Sequence, residues 1–338
     1  MPKVIDPFDI KTLKAAKGYD EKFINNSDKV SIGKILSEAQ RKNLPKVDGD
    51  DNGLLKYTKL TVLYNKKRKV PYLSAYNIDG TKKVKVARPS SFKQDKRVKD
   101  KNVQLDYPFY DLVTDFTEFE IGHMASHNEL SWGAKSKLQS FQTFHFTNSV
   151  PQVEKLNSGL WSKLESYVIK EAAEADNKKI CVFTGPMLKD SDPKYKYDNK
   201  YQVPLYFFKL VVFSSGGKLY STAFVMSQYK KAVELKLIPA STKLQVEALR
   251  TAVPEPFSDY NHKDVFQVNI NLIENYTGLN FNWTNVSRVA VEGDQHKLEE
   301  IADDALMENA RILTLAGIND PDDELSVVLK KTNMILPS

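Results

Sequence analysis

Two runs, Leu205 to Phe213 and Leu219 to Met226, are rich in β-branched and aromatic residues and are split by Ser214-Ser215-Gly216-Gly217. A short polar, glycine-rich break between such runs predicts a β-hairpin. A hairpin alone is marginal in water, so further strands must join it. The sequence offers them. Leu54-Leu-Lys-Tyr-Thr-Lys-Leu-Thr-Val-Leu-Tyr64 alternates as a strand, and Asn65-Lys66-Lys67-Arg68-Lys69 turns it into Val70 to Tyr76, which ends at Asp79-Gly80. Lys179 to Thr184 precedes Gly185-Pro186, and Val265 to Val268 is a shorter candidate. Helical spacing is found at Ile10 to Ala16, Ile32 to Lys42, Leu160 onward through Leu164, Tyr167, Val168 and Ala172, and Leu272 to Thr277, where Gly278 is a stop signal. The class is α+β, a central mixed or antiparallel sheet flanked by helices.

The net charge of +6 over 338 residues is unevenly spread. From Lys56 to Lys101 there are fifteen Lys or Arg against Asp79, Asp95 and Asp100, whereas the segment from Lys297 to the end is acidic. A basic block of this kind points to a polyanionic partner, or in the blander reading to a solvated lysine-rich face. Thr81 to Lys101 reads as an exposed excursion. The single cysteine, Cys181, lies in an apolar strand; it excludes an intramolecular disulfide and a cysteine-based zinc cluster and is expected in the core. The N-terminus lacks the apolar run of a secretory signal and no stretch is long enough to span a membrane, so a cytoplasmic protein without membrane contact is the expectation, and a processed chain or an effector exported by another route would read the same.

Chemistry concentrates between Phe119 and Glu165. His123 follows Gly122, Asn148 sits in a polar turn before Pro151, and Glu165 falls on a predicted helix. These residue types can supply a general base, a neutral oxygen ligand for a hard cation, and an anchor for that cation's waters. Taken singly, each has an ordinary structural explanation: a packed histidine, a turn-capping asparagine, a helix carboxylate. His123 and His127 have the spacing of a helical zinc pair, but Met124 stands where a zinc protease needs its glutamate.

Gly122-His123-Met124-Ala125, then Thr143-Phe144-x-x-Thr147-Asn148-x-x-Pro151-Gln152, then Leu156-Asn157-x-x-x-Trp161-x-x-Leu164-Glu165, resembles the DNA/RNA non-specific endonuclease family, the ββα-metal nucleases that include endonuclease G. Similar stretches extend the resemblance over roughly residues 18 to 285. It implies a metal-dependent, sequence-non-specific endonuclease acting on DNA and RNA. His123 would deprotonate a water, Asn148 would be the direct ligand of a Mg²⁺ for which Mn²⁺ can substitute, and Glu165 would hold a cation-bound water. Arg68 would neutralise charge on the phosphoryl oxygens, and Lys66, Lys67 and Lys69 beside it would contact backbone phosphates. The products would carry 5′ phosphates.

Two positions depart from the family pattern. Ile121 stands where an arginine precedes the Gly-His pair, and Ile169 replaces an arginine after the helix glutamate. Both remove positive charge, which motivates an alternative: a nuclease-fold nucleic-acid-binding protein with weak, lost or partner-gated turnover. His127 and His145 are expected to be structural or peripheral. The domain expectation is a helical extension over residues 1–52, a nuclease domain over 53–290, and an acidic, partly helical tail over 291–338. Through that tail a homodimer or a regulatory partner would join DNA and RNA as partners.

Overall fold

The computed structural model describes residues 5–112, 119–170, 178–238 and 266–288. The expected acidic tail lies outside the described residues. An eight-stranded sheet runs in the order β1 (Leu55–Tyr57), β2 (Leu60–Asn65), β3 (Val70–Asp79), β6 (Lys179–Pro186), β7 (Tyr206–Ser215), β8 (Lys218–Ser227) and β10 (Val286–Arg288), with β9 (Phe266–Val268) also paired to β8. Its pairings are antiparallel except β8 with β10. The β7–β8 turn uses Gly216 and Gly217 at φ 53° and 77°, the left-handed backbone that a tight hairpin with right-twisted strands requires. The run from Leu54 to Tyr64 is two strands rather than one, because Lys59 adopts φ 63° and folds β1 back on β2.

Side chains alternate across the sheet, so each face has its own cover. Ser74, Thr184 and Lys209 are partners along one cross-sheet row, with Phe224 next to Lys209. This face receives a two-stranded ribbon, β4 (Phe119–His123) with β5 (Ser149–Val153), and the helical segment that follows it. Trp161 meets Phe207 at 6.0 Å, and Tyr167 meets Phe224 at 6.4 Å. The opposite face carries Asn77, Cys181, Phe183 and Phe208. Tyr19 packs on Phe183 at 5.4 Å, Phe281 on Phe208 at 5.9 Å, and Asn77 accepts from the Asp20 backbone N–H. Cys181 is buried, as expected, and receives a hydrogen bond from Asn77.

Residues 5–52 therefore do not stand off the sheet. Leu13, Tyr19, Val30, Ile35 and Leu36 belong to the same core as the strands. Of the two helices expected there, α1 (Ile10–Lys14) forms, capped by Asp9, and the second shortens to α2 (Glu38–Arg41), begun by a Ser37–Gln40 capping box. The helix α7 (Ile270–Thr277) ends as expected at Gly278, with φ 68°.

The basic stretch 81–101 is exposed only in part, since Phe92, Asp95, Arg97 and Val98 are buried. Arg97 pairs with Asp95 at 2.7 Å and donates to the Leu13 and Lys56 carbonyls, while Tyr57 donates to Asp95 at 2.6 Å. Burial alone would push the Asp95 carboxyl up. The Arg97 guanidinium, the His145 ring and the Tyr57 hydroxyl override it and bring the value down to about 2, from 3.8. A carboxylate that binds protons less readily when folded stabilises the fold above its unfolded value. That contribution, about 2 kcal/mol by linkage, is lost as pH falls from near 4 toward 2. In urea titrations Asp95→Asn is expected to be destabilised at pH 7 and to show a flatter acid limb than the parent. An identical acid limb would refute this account of Asp95.

Candidate active site

The β4–β5 ribbon places His123 opposite Ser149 at its end. One residue earlier, the absence of a Cβ at Gly122 leaves the space that the Gln152 side chain fills. The His123 ring is wedged between Phe92 and Phe144, at 4.6 and 4.5 Å, and its Nε2 has no hydrogen-bond partner. Burial, then the Arg88 charge and His127, lower its pKa to about 3. The ring is a neutral imidazole at physiological pH, with an unoccupied nitrogen.

His123 opens into a cleft of about 620 Å³ shared with Arg88, Ser126, Asn157, Ser158 and Glu165. Asn157 and Ser158 come from a π-helical stretch, Lys155–Trp161, broken at Gly159, and Glu165 from α5 (Ser162–Tyr167), which continues it. Widened turns of this kind are frequent at functional sites. Asn157 donates from Nδ2 to Glu120 at 2.7 Å, and Ser158 donates to the same carboxylate oxygen at 3.1 Å. This bond uses the donor end of the Asn157 amide and fixes its orientation. Burial raises the Glu165 pKa and the Glu129 carboxylate adds to the rise, while Lys209, Ser126 and Arg88 oppose it.

The opposite wall is Lys83 to Arg88, held by the Val84 N–H on the Ser131 carbonyl at 2.9 Å. Arg88 is exposed, with its guanidinium 5.5 Å from the centre of the Phe144 ring that also packs on His123. His127 lies on the cleft edge, and its Nε2 is 3.3 Å from the Ala87 carbonyl. His145 is fully buried against Tyr57 and Phe8. A larger groove of about 1740 Å³ runs along α1, the 132–135 segment and the start of the helix Ser136–Gln142, but it contains no histidine, and its Lys56, Lys59 and Lys82 are paired with Asp50, Asp20 and Asp79.

Of the residues singled out from the sequence, the structure brings His123 and Glu165 together and places the others elsewhere. Asn148 is fully buried and outside the cleft lining. Its Oδ1 accepts from Ser74 at 2.8 Å and from the Ala125 N–H at 3.1 Å, and its Nδ2 donates to the Ala125 and Thr143 carbonyls. With both ends of the amide engaged, it clamps the turn after His123 to β3 and has no oxygen to offer a cation. The amide in the cleft is Asn157. It stands in the third stretch of the sequence motif, but nothing local distinguishes it from Asn148.

Arg68 is likewise buried and absent from the cleft. It pairs with Asp192 at 2.6 Å and donates to the Lys189 and Gln202 carbonyls, so it fastens the 188–203 segment to the β2–β3 turn. Lys66 caps the Lys42 and Leu44 carbonyls, Lys69 takes the left-handed position of the turn at φ 57°, and Lys67 is exposed. None of the four lines the cleft. The cations that do are Lys83, Lys85 and Arg88, from the part of the basic block that had no assigned role. Ile121 is half-buried against the core and Ile169 is buried, so both missing arginines are replaced by packing. Arg68→Ala would leave Asp192 buried without its partner and is expected to cost about 3–5 kcal/mol of stability. Chemical denaturation would show this, and a variant as stable as the parent would refute it.

Among the described residues no three His, Cys, Asp or Glu side chains cluster as a metal cage, and no helix is long and apolar enough to cross a membrane. The chain is 28% identical over 212 residues to the uncharacterized protein y4fB of Sinorhizobium fredii (strain NBRC 101917 / NGR234), covering 59% of this chain and 31% of that protein. It is 30% identical over 118 residues to mitochondrial endonuclease G of Homo sapiens and of Bos taurus, covering 32% of this chain and 38% of each relative. It thus spans about a third of the length of these relatives. A chain in the crystal structure of the EndoG/EndoGI complex superposes with a TM-score of 0.50 at 21% identity, covering 74% of this chain and 94% of that one. At that identity the likeness speaks for the fold, which is the ββα-metal nuclease fold expected from the sequence. Residues 40–288 match the family model described as DNA/RNA non-specific endonuclease, and the chain belongs to that family.

Proposed function

We propose that this chain is a divalent-cation-dependent endonuclease that hydrolyses phosphodiester bonds of DNA and RNA with little sequence preference. The observation that carries the reading is the convergence of His123, Asn157, Glu165 and Arg88 on one cleft. His123 takes the proton of a water that attacks phosphorus. The bond from phosphorus to the 3′ oxygen breaks on the opposite side, so the products carry 5′ phosphates. An imidazole lowered to about 3 is a weak base in the free protein. An entering phosphodiester is an anion, which favours the imidazolium and raises the basicity when it is needed. Arg88 and Lys85 meet the phosphate oxygens, a contact common to DNA and RNA.

The residues present fit a Mg²⁺-like ion. Such an ion keeps most of its waters and needs few protein oxygens, so one oriented amide and one nearby carboxylate suffice where a carboxylate cage is absent. Asn157 would be the direct ligand and Glu165 would hold a coordinated water. When bound, the cation supplies charge neutralisation on the phosphate and at the departing oxygen.

A second reading, binding without turnover, draws support from the weak free-state basicity of His123 and the apolar Ile121 and Ile169. The two are separated by incubating plasmid DNA and RNA with the protein in EDTA, Mg²⁺ and Mn²⁺. The nuclease predicts degradation of both only with metal. Salt-sensitive binding with no cleavage under any condition would favour the second reading.

A further inference from the structure

Directly beneath the cleft, Lys209 and Glu129 form an ion pair at 2.7 Å with both side chains fully buried. A buried pair is weak evidence for stability, since desolvation offsets most of its attraction, and apolar residues of similar volume often serve as well. Its surroundings suggest another role. Lys209 Nζ also donates to the Tyr76 hydroxyl at 2.8 Å and lies 5.2 Å from the centre of the Trp161 ring. Trp161 donates from Nε1 to the His123 carbonyl at 3.3 Å. On the other side, Glu129 Oε2 accepts from the Ser126 backbone N–H and from the Ser126 hydroxyl, both at 3.0 Å. Ser126 lines the cleft with His123 and Glu165, and its side chain also acts on Glu165.

We infer that Lys209 and Glu129 are positioning residues for the cleft, holding the His123–Ser126 turn and Trp161 in register so that base and cation-holding groups face one point. The inference rests on the nuclease reading. Lys209 neutralises one oxygen of Glu129, and the other accepts both the Ser126 N–H and the Ser126 hydroxyl proton, which pins the Ser126 side chain at the cleft lining. Lys209 shares its cross-sheet row with Ser74, which holds Asn148 against the same turn. One row of the main sheet thus grips the turn at two points.

The test compares the parent with Glu129→Gln, Lys209→Met and the double variant. Each single change strands a buried group and is expected to lower thermal stability. The double change removes both charges together and is expected to melt near the parent. With Mg²⁺, its kcat on an oligonucleotide should fall roughly 10- to 100-fold, the range for groups that orient a metal site, with KM nearly unchanged. Mn²⁺ affinity, read by electron paramagnetic resonance without substrate, should weaken by a similar factor. A double variant that melts like the parent and keeps its kcat and Mn²⁺ affinity would overturn the inference. So would one that cannot fold, because the pair would then be a stability element. If the parent itself cleaves nothing, the nuclease reading fails separately. The Mn²⁺ measurement then decides, and equal affinity, or none in either protein, counts against the inference.

Discussion

Replacing His123 is expected to lower phosphodiester cleavage by about 10²- to 10⁴-fold, the usual contribution of a positioned general base. His123→Ala also opens a void between Phe92 and Phe144, which flank the ring at 4.6 and 4.5 Å. His123→Gln is the cleaner change, because it fills most of that volume with a side chain that cannot accept the water's proton at neutral pH. Both variants should lose activity, and the glutamine variant should keep a parent-like melting curve. A glutamine variant that cleaves at the parent rate would eliminate His123 as the base. Loss of activity accompanied by loss of fold in both would leave a structural histidine as the better description.

The second large effect separates two asparagines nine positions apart. Asn157→Ala is expected to reduce metal-dependent turnover by about 100-fold, at the upper end for metal-site groups, and to raise the Mg²⁺ concentration needed for half-maximal rate. Stability should hardly change, because the half-buried Asn157 side chain loses one bond to Glu120. Asn148→Ala should do the reverse at the level of the fold. It removes four hydrogen bonds from a fully buried site and leaves Ser74 and the 125 and 143 peptides without partners. At roughly 1–3 kcal/mol for each group left unsatisfied, it is expected to be severely destabilised. Activity lost at Asn148 with stability intact, and retained at Asn157, would return the ligand role to Asn148.

A charge that looks catalytic in the sequence is engaged by Asp192 and two carbonyls, while an arginine from the stretch read as an exposed basic excursion lies over Phe144 beside His123. Arg88→Ala is expected to weaken binding of DNA and RNA alike and to lessen its salt dependence, as loss of one phosphate contact does. Arg68→Ala should affect binding only as far as it unfolds the protein. Equal binding and salt slopes for Arg88→Ala and the parent would remove Arg88 from the substrate track.

The sequence by itself determined what is local or periodic. The β7–β8 hairpin follows from two apolar runs and a glycine turn, the end of α7 from Gly278, and the core position of Cys181 from its apolar strand. The three motif stretches were enough to indicate the family, and two of the residues they single out, His123 and Glu165, line one cleft. Only the tertiary structure decided which polar residues face it. Asn148 and Asn157 both stand in polar surroundings, and what separates them is Ser74, which lies 74 positions from Asn148 in the chain. The fate of Arg68 depends on Asp192, 124 positions away. The 83–88 wall reaches the cleft through its pairing with the 131–133 segment. Lys209 lies under the site because sheet register aligns it with Thr184 and Ser74. Periodicity records which face a residue occupies, but a hydrogen bond between distant segments is set by how the layers pack, and no short window of sequence contains that.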